Sequence, residues 1–197
     1  MQLRSVQTQE LILKFARQLF AEQGFEHTSV NQICRNAGIS KGAFYHHFCS
    51  KDELFLRLLD DWTEAIHIQI NQRFDTSASI QEGFLLTSKS LSEIIDGSGN
   101  HLPLLFEFWQ HSVKDPDLWV RAKLPLHQFK EHFLGLIQRG INNREIAVRD
   151  PELIANTILA FSFGIIASSM LDAQQDWAKV SSYGFSALFN QIRGSEQ

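Results

Sequence analysis

Residues 29–48 carry the side chains whose types and spacing are best suited to recognising another molecule. Gly38 divides this segment into a helix that starts at Ser29 and a second, short helix that starts after Ser40. At about 1.5 Å per residue, the short helix spans about 12 Å, which is close to the width of the major groove of DNA. Two helices joined by such a tight turn predict a helix-turn-helix.

The short helix offers two different faces. Phe44 and Phe48 are four residues apart, so we expect both rings to pack on the first helix of the chain. The other face carries small and hydrogen-bonding side chains, which can approach base edges and phosphates closely. A capped helical hairpin without DNA contacts is the alternative interpretation. The predicted DNA-binding residues are Thr28, Ser29, Asn31, Lys41, Gly42, Ala43, Tyr45, His46, His47 and Lys51.

Two further pairs of residues could ligate a metal ion. Glu107 and His111 are four residues apart, as are His127 and Glu131, so each pair shares one helix face. Chelation by two residues is one interpretation and an exposed ion pair is the commoner one. The sequence contains no Ser-His-Asp ordering, no set of metal ligands and no Gly-rich phosphate loop. We therefore predict neither an enzyme nor a metal or cofactor site.

Helical periodicity runs through almost the whole chain and predicts an all-α fold of about nine helices. Asp115-Pro116 and Asp150-Pro151 each place a capping Asp before a Pro, so each pair should begin a helix. Pro125 lies inside the predicted seventh helix and should kink or break it.

Composition and charge narrow the class of protein. The 197 residues are 44% hydrophobic and 20% charged, which excludes a disordered chain. The net charge is −4, but residues 1–60 hold seven Lys and Arg against six Asp and Glu. We therefore expect an anionic partner to meet the amino-terminal part.

The chain shows no signal peptide, and Cys34 and Cys49 are too few for a disulfide framework. The segment 153–171 has no charged residue but includes an Asn, a Thr and three Ser. We predict a helix buried on several faces rather than a membrane span, in a cytoplasmic protein with no membrane partner.

The run from Leu11 to Leu59 resembles the DNA-binding domain of the TetR family of transcriptional regulators. The residues that carry the resemblance are Leu19-Phe20, Gly24-Phe25, Thr28-Ser29, Ala37-Gly38-Ile39-Ser40-Lys41-Gly42, Tyr45-x-His47-Phe48 and Ser50-Lys51-x-Glu53-Leu54. The resemblance implies a DNA-binding domain over residues 4–65, with its helix-turn-helix at 28–48. Residues 66–197 would then form a helical domain for effector binding and dimerisation.

The two cysteines occupy positions where small or polar residues are more usual in that family. Redox sensing by Cys34 or Cys49 is one hypothesis, and an inert, buried Cys34 is the favoured alternative.

The last two predicted helices combine apolar stripes with small residues, which allow a neighbouring helix to come close. Packing inside one protomer is the alternative to a four-helix bundle shared by two protomers, which would match a palindromic operator. The predicted dimer interface contains Ile154, Ile158, Phe161, Ile165, Ser168, Trp177, Val180, Gly184 and Leu188.

The middle helices are rich in aromatic residues, and the chain contains 16 Phe. Each ring could simply fill the core, but together they could line an apolar cavity. The predicted ligand pocket contains Trp62, Phe84, Phe106, Phe108, Trp109, Phe129 and Phe133.

These patterns, together with what the family resemblance implies, predict a homodimeric repressor that binds a palindromic operator in double-stranded DNA. A small, largely hydrophobic effector would release it. An all-helical small-molecule carrier, or a transcriptional activator of the same fold, is the alternative. The sequence does not specify the effector, the operator or the regulated genes.

Overall fold

The computed structural model describes residues 2–89, 101–172 and 174–192. Within these ranges the chain forms ten α-helices and no β-strand. The all-α prediction is confirmed. The helices are α1 (Gln2–Gln23), α2 (Val30–Ala37), α3 (Lys41–His47), α4 (Lys51–Thr76), α5 (Ile80–Lys89), α6 (His101–Ser112), α7 (Pro116–Ala122), α8 (Leu124–Asn142), α9 (Pro151–Leu171) and α10 (Trp177–Ile192).

Local capping groups set the ends of the first helices. Ser29 precedes α2, where its hydroxyl accepts a hydrogen bond from the Gln32 amide, while the Gln32 side chain accepts one from the Ser29 amide. Gly24 follows α1 with φ of 84°, and Gly38 follows α2 with φ of 65°. These left-handed conformations favour glycine because they disfavour a Cβ atom.

The two predicted Asp-Pro starts are confirmed. The Asp115 carboxylate caps α7 and the Asp150 carboxylate caps α9, each with Pro at the first helical position. The break expected near Pro125 is also present, because α7 ends at Ala122 and α8 begins at Leu124. The predicted seventh helix is therefore two helices, which accounts for ten described helices where about nine were expected.

The chain divides into two compact units. The first unit comprises Met1–Thr63 and Ser98–Leu124, and the second comprises Glu64–Gly97 and Pro125–Gln197. The long helix α4 contributes to both units, and its division lies next to the predicted boundary after residue 65. Helices α6 and α7, which we expected in the effector domain, belong instead to the first unit.

Aromatic rings dominate the core of the first unit. Phe20, Phe25 and Phe55 contact one another with ring centroids 5.3–5.5 Å apart. Phe108 of α6 stacks on Phe55 at 4.2 Å and meets Phe25 edge-on at 5.2 Å. Helix α6 is thus part of the same hydrophobic core as α1 and α4.

The second unit has its own core, in which α5 packs against α10 and α10 against α9. Phe84 of α5 contacts Phe185 and Phe189 of α10 at 5.4 and 5.0 Å. Phe161 of α9 lies directly over Gly184 of α10, where an added Cβ would meet the ring at 2.2 Å. The close approach of α9 and α10 therefore requires glycine at this position.

Gly184→Ala should destabilise the protein by about 1–3 kcal/mol, because the new methyl group overlaps the Phe161 ring. The matched control is Gly135→Ala in α8, where an added Cβ would contact nothing within 4 Å. This control should stabilise by about 0.5–1 kcal/mol, since alanine favours the helix. Urea unfolding of both variants measures the difference, and equal stabilities would contradict the packing described here.

Candidate nucleic-acid interface

The predicted helix-turn-helix is present as α2, a tight turn and α3. Gly38 donates its amide hydrogen to the Arg35 carbonyl, and Ile39 donates to the Cys34 carbonyl at 3.0 Å. Phe44 and Phe48 are buried, as their spacing predicted. The two rings hold the short helix on the core, so its opposite face is turned outward.

That outward face carries most of the predicted recognition residues. Lys41, Gly42, Tyr45 and His46 are exposed, while Ala43 and His47 are half-buried. Tyr45 has 54% of its surface exposed, which is high for a ring of its size. An added Cβ at Gly42 would meet only the Ser40 hydroxyl, at 3.8 Å. Because Gly42 has no side chain, a partner can approach the helix backbone closely here.

The start of α2 presents Ser29 and Asn31 to solvent but not Thr28. Thr28 is 1% exposed, and its hydroxyl donates to the Gly24 carbonyl at 2.7 Å. The hydroxyl also accepts a hydrogen bond from the Gln23 side chain at 3.2 Å. Its side chain fixes the turn between α1 and α2, in contrast to the phosphate contact that we expected.

Lys51 also binds the turn between α1 and α2. Its Nζ donates to the Phe25 carbonyl at 2.7 Å and lies 4.1 Å from the centroid of the Phe25 ring. Burial lowers the pKa of Lys51, although the carboxylates of Glu26, Asp52 and Glu107 oppose that shift. The ammonium group that we expected to clamp a phosphate is therefore already bound inside the first unit.

The same turn is held from α6. The Glu107 carboxylate accepts hydrogen bonds from the backbone amides of Phe25 at 3.0 Å and Glu26 at 2.8 Å. It approaches so closely that a Cβ at Gly24 would lie 2.9 Å from a carboxylate oxygen. A side chain 81 residues further along the chain thus satisfies amides that the turn leaves without a helical partner.

Two more contacts reinforce this attachment. One ring nitrogen of His111 lies 2.8 Å from the Glu26 carboxylate and the other lies 2.9 Å from the Asp52 carboxylate. Arg121 of α7 pairs with Glu53 of α4 at 2.8 Å. Helices α6 and α7 are therefore joined to the turn and to the start of α4 by charged side chains as well as by the aromatic core.

Sequence reasoning missed this role. It placed Glu107 and His111 on one helix face, which is correct, but interpreted them as a metal pair or an exposed ion pair. The structure directs both side chains to the α1–α2 turn instead. The four-residue spacing of Glu107 and His111 indicated that they share a helix face, but it could not identify the α1–α2 turn as the partner of that face. Among the described residues, no group of three or more metal-ligating side chains is found.

The predicted ligand pocket is divided between the two units. Phe108 is 0% exposed in the core of the first unit, so its ring already has protein contacts on all sides. The seven predicted rings are distributed over two different units. The first unit contains Trp62, Phe106, Phe108 and Trp109, and the second contains Phe84, Phe129 and Phe133.

The second unit also has an open cleft of about 550 Å³ between α8 and the start of α9. No aromatic side chain lines it, so it differs from the aromatic cavity that we expected. The lining residues are Glu131, Leu134, Gly135, Gln138, Arg149, Asp150, Pro151 and Glu152.

The predicted dimer residues occupy different environments. Ile158 and Ile165 are buried within the protomer, and Phe161 covers Gly184. Ile158 and Ile165 are therefore covered by their own chain, whereas Phe161 keeps part of its surface exposed. The half-buried members of the predicted set are Ile154, Phe161, Ser168, Trp177, Val180, Gly184 and Leu188.

Helix α9 is nevertheless unusually apolar for its exposure. By length and composition it could cross a membrane, the one such helix in the part of the chain that the structure describes. Only 22% of its most apolar window is buried in the protomer. Ala160, Gly164 and Leu171 lie exposed along one stripe, and Tyr183 of α10 is exposed as well. A soluble protomer would need a partner to cover this surface.

Comparisons with known proteins agree with this architecture. Residues 12–58 match the family described as bacterial regulatory proteins, tetR family. The chain is 28% identical over 168 residues to the HTH-type transcriptional regulator YfiR of Bacillus subtilis, covering 81% of this chain and 78% of that protein. It is 30% identical over 136 residues to the HTH-type transcriptional repressor KstR2 of Rhodococcus jostii, covering 67% and 64% respectively.

A solved structure shares the fold across nearly the whole chain. It is the transcriptional regulator FadR from Bacillus subtilis in complex with stearoyl-CoA, with a TM-score of 0.77 and 19% identity. The match covers 93% of this chain and 99% of that one.

Glu107→Ala should destabilise the protein by about 1.5–3 kcal/mol, because the amides of Phe25 and Glu26 lose a charged acceptor. Glu64→Ala, at an exposed position of α4, is the control and should change the stability by less than about 0.5 kcal/mol. Urea unfolding followed by circular dichroism measures both. A Glu107 variant as stable as the wild type would show that the attachment to α6 is unimportant.

The two thiols should differ strongly in reactivity. Burial raises the pKa of Cys34, which keeps it protonated, whereas Cys49 is exposed. We expect N-ethylmaleimide at pH 8 to label Cys49 rapidly and Cys34 only after unfolding, as followed by mass spectrometry. The Cys49→Ser variant should lose the rapid phase. Rapid labelling of Cys34 in the native protein would favour the redox-sensing hypothesis.

Proposed function

The chain belongs to the TetR family of bacterial regulatory proteins, and we propose that it is a cytoplasmic repressor that binds a palindromic operator as a homodimer. As a member of this family it is a DNA-binding transcriptional regulator and not an enzyme. KstR2, which is named a repressor, supports repression rather than activation. We further propose that a small, largely hydrophobic effector releases the protein from DNA.

The exposed face of α3 carries the DNA-binding proposal. Lys41 can donate to guanine acceptors or to phosphate, and Gly42 permits close approach to the groove. Tyr45 can donate to the phosphate backbone on the opposite side. Asn31 supplies a further exposed donor at the start of α2, where helix amides favour anions, and Ser29 lies exposed beside it with its hydroxyl bonded to Gln32.

The structure changes which residues we assign to this surface. Thr28 and Lys51 hold the α1–α2 turn, so we propose that they position the reading surface and do not contact phosphate through their side chains. The proposed contacts are Ser29, Asn31, Lys41, Gly42, Ala43, Tyr45, His46 and His47.

The dimer proposal rests on the exposed stripe of α9. Ala160 and Gly164 are small and exposed, so a helix from a second protomer can approach closely. Leu171 is 89% exposed and Tyr183 of α10 is 78% exposed. Burial of these apolar side chains favours association by roughly 25 cal/mol per Å² of surface removed from water. A two-fold axis through this contact would present two copies of α3 to a palindromic site.

The proposal of a hydrophobic effector rests on the second unit and on one structural neighbour. Three of the predicted rings lie in this unit. Phe84 and Phe133 belong to its buried core, and Phe129 is half-buried against that core. The neighbour, FadR from Bacillus subtilis, was solved with stearoyl-CoA, a ligand with a long apolar chain. An effector that reverses a 99:1 preference for the DNA-binding state must favour the other state by about 5.5 kcal/mol.

Lys41→Ala and Tyr45→Ala should each weaken binding to the DNA upstream of the protein's own gene by at least about tenfold. If Lys41 contacts phosphate, its loss should also reduce the slope of log K against log salt concentration by about 1. Electrophoretic mobility shift assays at salt concentrations from about 50 to about 200 mM measure the affinity and its dependence on salt.

Lys130→Ala is the matched control, because Lys130 pairs with Glu152 in the second unit. Its affinity for DNA and its salt dependence should equal those of the wild type. Unchanged binding in both the Lys41 and Tyr45 variants would reject the assigned surface. A reporter gene behind the same DNA separates repression from activation, since deletion of a repressor raises expression.

A further inference from the structure

Two histidines form an unusual pair inside the second unit. His67 of α4 and His132 of α8 stack with ring centroids 5.0 Å apart and an angle of 23° between their planes. The Nε2 atoms of both rings are buried and have no hydrogen-bond partner. Neither residue belongs to the predicted ligand pocket or to the DNA-binding surface.

An unpartnered polar atom in a protein interior destabilises the fold, and such atoms are rare in native proteins. Two of them lie side by side here, on two different helices. Phenylalanine would fill the same space without this cost. The pair therefore calls for a function that a purely apolar core would not supply.

The electrostatic surroundings indicate what kind of atom would suit the pair. Burial lowers the pKa of both rings, and His67 and Arg139 help to lower that of His132 to about 4. Both imidazoles are consequently uncharged at neutral pH. No carboxylate contributes to the pKa shift of either ring, and the permanent charge that contributes to the shift of His132 is the positive charge of Arg139. The site thus favours an incoming anion over a cation.

Apolar rings continue from the pair into the core. Phe129 meets His67 edge-on at 4.4 Å, and Phe133 stacks on Phe129 at 6.4 Å. Phe84 follows at 6.0 Å from Phe133. Phe84 and Phe133 are buried in the core, whereas Phe129 is half-buried, so the Phe129 ring is the one that the remaining atoms of a ligand bound at the histidines would meet.

We propose that His67 and His132 bind the anionic end of the effector, and that the effector is an apolar molecule with a single carboxylate. In the tautomer with hydrogen on Nε2, each ring donates one hydrogen bond to a carboxylate oxygen. The half-buried Phe129 ring contacts the apolar part. This inference rests on the proposed function, because it names the chemical class of the effector.

A metal ion is the other ligand that neutral imidazoles prefer. A tetrahedral site built from protein would need further ligands, and the described residues contain no group of three or more. The positive charge of Arg139 also opposes a cation. We therefore assign the pair to a carboxylate.

The test compares two probes that differ only in the polar group, 4-phenylbutyrate and 4-phenylbutan-1-ol, by isothermal titration calorimetry with the full chain. The wild type should bind the carboxylate at least about tenfold more tightly than the alcohol. His67→Phe and His132→Phe should each lose this preference. His132→Gln, which keeps a hydrogen-bonding nitrogen at similar reach, should retain part of it.

His127→Phe is the matched control, because His127 lies exposed on the same helix as His132. It should keep the preference of the wild type. Without ligand, His132→Phe should raise the unfolding temperature by about 2–6 °C, since it removes an unpartnered buried nitrogen. A His132→Phe variant that is more stable but no longer prefers the carboxylate probe would show that His132 binds the ligand and does not merely support the fold.

A wild type that binds both probes equally, or that binds Zn²⁺ through the pair and ignores both, would overturn the inference. A His132→Phe variant that keeps the preference would overturn it as well. The mobility shift with upstream DNA is read separately. If the protein binds DNA but does not prefer the carboxylate probe, only the proposed class of effector is rejected. If it prefers the carboxylate probe but binds no DNA, only the proposed function is rejected.

Discussion

The first unit depends on how the backbone around Phe25 is satisfied. This residue is fully buried, its ring meets three other phenylalanines, and its amide and carbonyl are bound by Glu107 and Lys51. The backbone amide and carbonyl of a buried residue must find partners, and here side chains provide them. The position of α2, and through it of α3, follows from this turn.

This constraint explains why α6 and α7 belong with the helix-turn-helix. Helix α6 supplies three side chains to the region around Phe25 and the start of α4. These are the carboxylate of Glu107, the ring of Phe108 and the imidazole of His111. Helices α6 and α7, which we expected in an effector domain, instead hold the helix-turn-helix in place within the first unit. The second unit keeps a smaller aromatic cluster, and it is there that the unpartnered histidines lie.

Residues of similar chemistry perform different tasks in this molecule. Lys41 and Lys51 are both cations near the helix-turn-helix, but Lys41 is exposed, whereas Lys51 is bound to the Phe25 carbonyl. Thr28 and Ser29 are adjacent hydroxyls, of which Thr28 faces inward and Ser29 outward. Exposure therefore separates side chains that can meet DNA from those that shape the surface presenting it.

The sequence by itself determined the helical class, the capped starts at Ser29, Asp115 and Asp150, and the break near Pro125, because these follow from contacts within a few residues. It also predicted the anchors of α3, since Phe44 and Phe48 repeat at helical spacing. Tertiary structure alone decided the partner of Glu107, the division of the aromatic residues between two units and the stacking of His67 on His132. Each of these joins residues far apart in the chain, and periodicity shows only that a side chain faces inward, not which helix it meets.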